Sequence, residues 1–237
     1  KHRGRSGTKP GSLLKHHIPI RTDNWDITKP GWLEADTVAH CGASLEGDFI
    51  WSVTYTDIFS GWTSLRAVWN KGAHGIVEAT REVEAALPFA IEGFDCDNGS
   101  EFLNWHLVRY FQERPKKVGF TRSRPYHKND NGHVEQKNWT HVRQLLGYER
   151  LADPEMVKQI NTLYRELWEP LHNYFCASAR LLSKDRHGAK VKRQHDRPTT
   201  PCDRLLASDA VSPRKKARLR TARQGLNPFE LHRRLEA

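Results

Sequence analysis

The chain has 237 residues, of which 37% are hydrophobic and 28% charged, and its formal net charge is +10. This length predicts one sizeable domain with appendages, and no apolar run is long enough to predict a signal peptide or a membrane span. The four cysteines (Cys41, Cys96, Cys176 and Cys202) form no Cys-x-x-Cys pair, so we expect reduced thiols in a cytosolic protein. Because the chain does not begin with Met, we expect it to be part of a longer protein.

Positive charge is concentrated at both ends of the chain. Residues 180–237 contain 16 Lys and Arg against 6 Asp and Glu, and residues 1–29 contain 7 against 2. Residues 30–150 contain 13 against 16. Basic flanks around a slightly acidic centre suit a polyanion that the flanks bind while the centre binds cations. The alternative is a solvated basic tail without a partner.

Hydrophobic and turn patterns predict an α/β core between residues 30 and 150, preceded by a basic linker or arm over residues 1–29. Strands are predicted at 32–41, 49–57, 62–69, 89–96 and 117–121, and helices at 74–87, 101–112 and 132–148. Short connections make the first three strands an antiparallel meander, and the two later strands follow crossover helices. The predicted fold is therefore a mixed five-stranded sheet flanked by helices.

The remainder of the chain is predicted to form two further parts. Residues 151–177 are predicted to be a helical extension, with a helix over 153–169 that begins at an Asp-Pro-Glu cap. Residues 178–237 are predicted to be a basic DNA-binding region, which contains a short helix over 200–206 and a last helix over 228–235.

Three acids stand where a sheet edge can hold a metal ion. Asp97 ends the fourth predicted strand and precedes an Asn-Gly turn, so its carboxylate is held rigidly at the edge of the sheet. Asp36 lies in the middle of the first strand, where Asp is unfavourable unless it is paired or binds a metal. Glu135 lies on the third helix. If the first and fourth strands are neighbours, these three carboxylates converge.

Other acids near these positions compete for the same role. Asp95 has the same strand parity as Asp97 and is the main alternative to it, and Glu34 has the parity of Asp36. Asp57 ends the second strand and is interpreted as structural. Three convergent carboxylates form a hard-oxygen site that suits Mg²⁺ or Mn²⁺. Two such ions could support an in-line phosphoryl displacement without a covalent nucleophile.

The residues around these acids carry a family resemblance. Trp32-Leu-Glu-Ala-Asp36-Thr, Asp97-Asn-Gly-Ser-Glu-Phe102 and Asn131-Gly-His-Val-Glu135-Gln-Lys-Asn138 together resemble the DDE catalytic core of retroviral integrases and bacterial insertion-sequence transposases. The 37 residues between the last two acids are close to the family spacing. The stretch 120–131 resembles the loop before the catalytic Glu in the bacterial enzymes.

That resemblance implies a ribonuclease-H-like fold in which the first and fourth strands are adjacent. It also implies a transposase that cleaves the 3′ ends of a mobile element and transfers them into target DNA. Asp36, Asp97 and Glu135 would be catalytic and would hold two Mg²⁺ or Mn²⁺ ions. The expected partners are double-stranded DNA and further copies of the chain, in the cytoplasm of a bacterium at the nucleoid.

Several side chains near Glu135 are candidate DNA contacts, by charge, stacking or a phosphate contact. They are Arg122, Arg124, Lys128, Lys137, Asn138 and Arg143. Each has a simpler interpretation: a solvated cation or, for Asn138, a surface amide or a side chain that steadies Glu135.

Other functions stay open on the sequence. A ribonuclease H or junction resolvase would share the fold and ions but would not join DNA. A tyrosine recombinase is conceivable from His141, Arg143 and Tyr148, although suitably spaced partner residues are lacking. A non-catalytic DNA-binding derivative of an integrase is a third class. A zinc site at His172, Cys176 and Cys202 lacks a second close pair of ligands.

Overall fold

The computed structural model describes residues 14, 17–20, 27–123, 132–188 and 190–237, without the side chains of His133, Glu135, Lys184 and His187. The predicted DNA contacts Arg124 and Lys128 lie outside the described residues. Five strands form the main sheet: β1 Trp32–Ala39, β2 Ile50–Asp57, β3 Thr63–Trp69, β4 Gly93–Cys96 and β5 Gly119–Arg122.

The sheet has the order β3-β2-β1-β4-β5. β1, β2 and β3 form the predicted antiparallel meander, and β4 pairs with β1, and β5 with β4, in the parallel direction. Helices cover both faces. The mixed α/β sheet and the adjacency of the first and fourth strands are therefore confirmed, and the chain has the predicted ribonuclease-H-like fold.

The register between β1 and β4 is fixed by an aromatic ring that lies over two glycines. Trp32 pairs with Gly93, and a Cβ atom on Gly93 would lie only 1.9 Å from Cε3 of the Trp32 ring. The same ring extends to Gly119 on β5, where a Cβ would lie 3.1 Å from Cη2. Since a side chain at either glycine would displace the ring, these positions hold three strands in one alignment.

One face of the sheet is covered by helices α1 Ala73–Ala86 and α2 Trp105–Gln112. Apolar side chains such as Leu33, Phe94 and Phe111 are buried between them and the strands. Helix α2 begins at Trp105 instead of the predicted residue 101 because the Asn104 side chain accepts a hydrogen bond from Leu107 N and caps the helix there.

Strand β4 is shorter than the predicted strand over residues 89–96. The N–H groups of Glu92 and Gly93 both donate to the carbonyl of Gly31, which holds the chain in a turn before the ladder begins. Only four residues, from Gly93 to Cys96, then pair with β1.

The other face is covered by a helix with a wide turn inside it. Its parts are α3 Gly132–Lys137, a π-helical segment Asn138–Arg143 and α4 Gln144–Leu146. The positive φ of Gly147 ends this helix at Leu146, two residues before the predicted end. Val134 and Val142 are fully buried, so this face of the helix packs on the sheet.

The predicted helix 153–169 begins at Met156 and continues further than expected. It consists of α5 Met156–Leu163, a π-helical segment Tyr164–Trp168 and α6 Glu169–Phe175. Pro170 cannot donate a backbone hydrogen bond, which disfavours continuation of a helix beyond Glu169. The π-helical turns immediately before Pro170 alter the hydrogen-bond pattern there, and the helix passes the proline.

The C-terminal part contains a hairpin and three helices. They are β6 Leu181–His187, β7 Lys190–His195, α7 Pro201–Ala207, α8 Pro213–Gln224 and α9 Pro228–Glu236. Cys202, Leu205 and Leu219 belong to the same buried cluster as the strands β1 and β4. This region therefore packs on the core, while the predicted four-part division of the chain stays a prediction. In the described part of the chain, no helix combines the length and apolarity needed to cross a bilayer.

Replacement of Gly93 by Ala is expected to lower the free energy of unfolding by about 3 kcal/mol, because the added Cβ would displace the Trp32 ring from the sheet. Urea denaturation measures this change. Gly75→Ala is the matched control, since a Cβ there meets Val68 at an ordinary 3.8 Å and Ala favours the helix. Equal stability of the wild type and the Gly93 variant would contradict the proposed role of the ring.

Candidate functional site

Asp36 and Asp97 lie side by side at the point where parallel strands stop pairing. Ala35 pairs with Cys96 as the last pair between β1 and β4, and each acid is the next residue on its strand. Alternation along the strands places both acids on the face that α3 covers, opposite the face that buries Ala35 and Cys96. Two acids that the sequence separates by sixty residues therefore have neighbouring backbone positions on one face of the sheet.

Hydrogen bonds from two neighbouring residues contact both oxygens of the Asp36 carboxylate. Its Oδ1 accepts from Thr37 N at 2.7 Å, and its Oδ2 accepts from Asn138 Nδ2 at 2.7 Å. Because Asn138 begins the π-helical segment, the second bond attaches that helix directly to the acid. Contact of Asn138 with a phosphate or with Glu135 stays a prediction, and its bond to Asp36 is a contact that was not predicted.

Asp97 lies in a partly buried turn where its Oδ1 accepts from Gly99 N at 2.9 Å. Burial raises the pKa of its carboxyl to about 6, and the negative charge of Glu101 adds to this. The Gly99 bond and the positive charge of Lys71 oppose the increase. A carboxyl with this pKa is ionised at neutral pH, yet it is easily protonated in mild acid.

Glu101 is a further acid at this site that the sequence analysis quoted without assigning it a role. It is 2% exposed, and its Oε1 accepts from Thr37 Oγ1 at 3.2 Å and Lys71 Nζ at 3.5 Å. Its buried Oε2 has no hydrogen-bond partner among the residues that the structure describes. Thr37 follows Asp36 directly, so its bond to Glu101 links β1 with the turn that carries Asp97. The signal in the sequence was a charged residue in a turn between two apolar elements.

The competing acids Glu34 and Asp95 form a second pair deeper on the same face. They pair directly between β1 and β4, and both are fully buried. Glu34 Oε2 accepts from Val134 N at 3.2 Å, and Asp95 Oδ1 accepts from Thr121 Oγ1 at 2.5 Å. These contacts give both acids internal partners. The choice of Asp97 over Asp95 as the catalytic acid stays a prediction.

Glu135 lies on α3, whose first turn is attached to β1 through the bond from Val134 N to Glu34. One helical turn later, Asn138 contacts Asp36. The backbone of Glu135 therefore stands between two contacts to the strand that carries Asp36. Among the described side chains, which do not include that of Glu135, no group of three His, Cys, Asp or Glu is placed to hold a metal ion. The three-carboxylate site and its ions stay predictions.

The donors that are described nevertheless fit a hard divalent cation. Asp36 and Asp97 supply carboxylate oxygens from adjacent strands, which Mg²⁺ and Mn²⁺ prefer. The separate zinc site considered at His172, Cys176 and Cys202 is disfavoured. Burial raises the pKa of the Cys176 thiol and raises that of Cys202 to about 11, which favours the protonated thiols over the thiolates that bind zinc.

Asp57 has the structural role that its position predicted. Its carboxylate accepts from Gly31 N and Ser60 N, both at 2.8 Å, and from the Ser60 hydroxyl at 2.5 Å. These bonds close the turn after β2 and anchor the residue before β1. Asp57 therefore helps to hold β1 in position and lies apart from the Asp36 and Asp97 pair.

Two predicted DNA contacts are engaged within the protein. Arg122 is 7% exposed and donates to the carbonyl of Ile18 and to Asn98 Oδ1. Arg143 donates to the carbonyls of Ala39 and Gly147. Their predicted contact with DNA is untested, but it would compete with these bonds. Lys137 lines a separate cavity.

Comparison with known proteins gives one curated relative. No protein-family model matches the chain. The chain is 36% identical over 194 residues to the uncharacterized protein y4rM of Sinorhizobium fredii (strain NBRC 101917 / NGR234). The aligned region covers 81% of this chain and 55% of that protein. The chain thus spans about half the length of the curated relative it matches.

Solved structures similar to this chain include retroviral integrases. The HTLV-2 integrase catalytic core domain in complex with magnesium is 14% identical, with a TM-score of 0.45 over 62% of this chain and 89% of that one. A chain of the simian T-cell lymphotropic virus intasome, in complex with PP2A regulatory subunit B56 gamma, is 16% identical, with a TM-score of 0.44 over 59% and 47%. The catalytic core domain of BIV integrase is 14% identical, with a TM-score of 0.39 over 49% and 70%.

We expect the Asp97 carboxyl to titrate near pH 6 in metal-free protein, about two units above an ordinary Asp, because burial disfavours its charged form. Since only the ionised carboxylate binds a cation well, cation affinity should rise as the pH increases through 6 and then level. Carbon NMR of labelled aspartate carboxyls measures the titration, and Asp97→Asn assigns the signal.

Glu101→Gln provides a second test of the same geometry. Removal of its negative charge should lower the pKa of Asp97, because Glu101 is one of the causes that raise it. An unchanged Asp97 titration in this variant would show that the two carboxyls do not interact.

Proposed function

We propose that the chain is the catalytic core of a metal-dependent DNA transposase or integrase of the bacterial insertion-sequence type. The observation that carries the proposal is the position of Asp36 and Asp97 directly after the last pair of adjacent parallel strands. The helix that carries Glu135 is bonded to the same strand through Glu34 and Asn138. This arrangement supports the resemblance in motif and spacing.

Asp36, Asp97 and Glu135 would together hold two Mg²⁺ or Mn²⁺ ions. When bound, such ions supply activation of an attacking oxygen and stabilisation of the leaving oxygen in an in-line phosphoryl transfer. Asp36 and Asp97 would share the ions, and Glu135 would complete the site from the helix.

The neighbouring side chains prepare these carboxylates for that role. Asn138 orients Asp36 by donating to its Oδ2 and leaves the carboxylate ionised. Lys71 offsets part of the negative charge near Asp97 and Glu101, which favours the ionised form of Asp97. Asp97 is therefore ready to bind a cation at neutral pH.

The proposed reaction has two steps on DNA. In the first, water attacks a phosphodiester at the end of the element, and the P–O bond to the leaving strand breaks to release a 3′-OH. In the second, that 3′-OH attacks a phosphodiester of the target DNA, which forms a new P–O bond and releases a target 3′-OH. Each step replaces one phosphodiester oxygen with another.

Binding of double-stranded DNA is proposed for the basic C-terminal region. Helix α8 packs through Leu219, while most of its Lys and Arg side chains are exposed. The hairpin β6–β7 adds further basic side chains on exposed strands. Such a surface suits a phosphate backbone.

The proposed reaction acts on the two DNA ends of an element together, so we propose that the chain acts as a dimer or larger assembly.

A DNA-joining assay tests the proposal. Pre-cleaved element ends, a target plasmid and Mg²⁺ or Mn²⁺ are supplied, and strand-transfer products are measured. Asp36→Asn, Asp97→Asn and Glu135→Gln should each reduce joining to the metal-free level. Glu149→Gln is the matched control, because that acid is exposed and lies apart from the site in the sequence. Wild-type joining by the Glu135 variant would overturn the assignment.

Asn138→Ala should lower the joining rate by ~10- to 100-fold and weaken Mn²⁺ binding, because Asp36 loses the group that orients it. Steady-state joining rates and Mn²⁺ titration measure the two effects. A slower rate with unchanged Mn²⁺ affinity would contradict the orienting role.

The same reaction products separate this function from its closest alternative. A nuclease or junction resolvase with this site would cleave DNA in Mg²⁺ or Mn²⁺ but would form no joined product. A non-catalytic DNA-binding derivative would do neither.

A further inference from the structure

A cavity of about 710 Å³ lies beside the helix that carries Glu135, on a different face of that helix from Asp36. Gln136, Lys137, Thr140, His141 and Gln144 line it from the helix. Asn138 and Val142, which alternate with them, face the sheet. The other walls are the end of β2 with the turn that follows it, the end of α6, residues 177–181 and the first turn of α7.

The lining of this cavity is cationic. Lys137, Arg180 and Arg204 contribute to it, and none of the lining residues that the structure describes is Asp or Glu. The carboxylate of Asp196 lies nearby, 2.8 Å from Arg180 Nε and 3.9 Å from Arg204 Nη2, and it neutralises part of this charge. Two arginines and a lysine against one acid leave the cavity positive.

Lys137 is the unusual member of this set. Its side chain is half-buried, and it forms no ion pair with any residue in the part of the chain that the structure describes. A half-buried amine without a carboxylate partner is unfavourable unless an anion completes it. Lys137 therefore indicates a site for a negatively charged ligand.

Arg204 gives a second, independent indication. Its side chain is 6% exposed, and its Nη atoms donate to the carbonyls of Ser60 and Ser178. Its Nε atom is shielded from solvent and has no hydrogen-bond partner in the described structure. These contacts fix the guanidinium, which therefore adds a positive charge at a fixed position in the cavity wall.

Neutral donors complete the lining. His141 Nδ1 accepts from Trp168 Nε1 at 3.2 Å, so the proton of the neutral ring lies on Nε2. His172 lies beside it, with 4.7 Å between the two ring centroids. Thr140 and Ser178 add hydroxyl groups. Several donors around one space suit an oxyanion with several acceptor oxygens.

We propose that this cavity binds a phosphate group carried on a larger molecule, such as a nucleotide unit. Its volume exceeds that of phosphate alone and lies in the range of ordinary ligand sites. The phosphate comes either from a nucleic-acid chain or from a free nucleotide. This binding site goes beyond the proposed transposase function and does not depend on it, because neither Asp36 nor Asp97 lines the cavity.

The first test uses the wild-type protein. Inorganic phosphate is titrated at constant ionic strength while the ring signals of selectively labelled histidines are followed by NMR, with His141→Gln to assign one of them. Saturable shifts of the His141 and His172 signals are expected. A short DNA duplex and a nucleoside monophosphate are then added in separate competition experiments.

Variants of Lys137 provide the second test. Lys137→Met should weaken phosphate binding about tenfold, since it removes one charge-assisted hydrogen bond, and Lys137→Arg should restore part of it. Lys158→Met is the matched control, because it removes one exposed positive charge on α5. Thermal unfolding of each variant shows that it is folded, and the wild-type titration stands without any variant.

Competition by the duplex would identify a nucleic-acid backbone as the source of the phosphate. Competition by the monophosphate without the duplex would identify a free nucleotide. Absence of saturable shifts in the wild type, or equal weakening by Lys137→Met and Lys158→Met, would overturn the proposal. The DNA-joining assay takes no part in this test, so the transposase proposal can fail or succeed separately.

Discussion

The parallel pairing of β1 with β4 is the constraint on which the rest of the site depends. It brings together two strands that are separated in sequence by a meander and a helix, and it places Asp36 beside Asp97. The Trp32 ring leaves no room for a side chain at Gly93, which selects one register. A shift of one residue would turn either acid to the opposite face and disrupt the site.

The helix that contains α3 is attached to this strand pair and gives the molecule two different surfaces. Glu34 binds its first turn, and Asp36 binds Asn138 at the start of the π-helical segment. These contacts orient the face that carries Val134 and Val142 towards the sheet. The face with Lys137 then lines the cationic cavity. Acidic and cationic side chains thus lie on either side of one helix.

The sequence predicted the sheet because its strands alternate clearly and are separated by turn residues. It also predicted the acids Asp36 and Asp97, whose placement follows from strand adjacency alone. It could not predict that a helix would pass Pro170, since this depends on the π-helical turns before it. The hairpin β6–β7 was missed because its strands are exposed and polar on both faces. The internal role of Arg122 depends on Ile18, which is distant in sequence.

We propose that the β1–β4 pair forms a divalent-cation site at Asp36 and Asp97. Titration with Mn²⁺ measures this binding directly. Electron paramagnetic resonance follows free Mn²⁺ as it is titrated with the wild type, with Asp36→Asn and with Asp97→Asn. We expect the wild type to remove Mn²⁺ from solution at neutral pH and each variant to lose most of this binding. Equal Mn²⁺ binding by the wild type and both variants would contradict it.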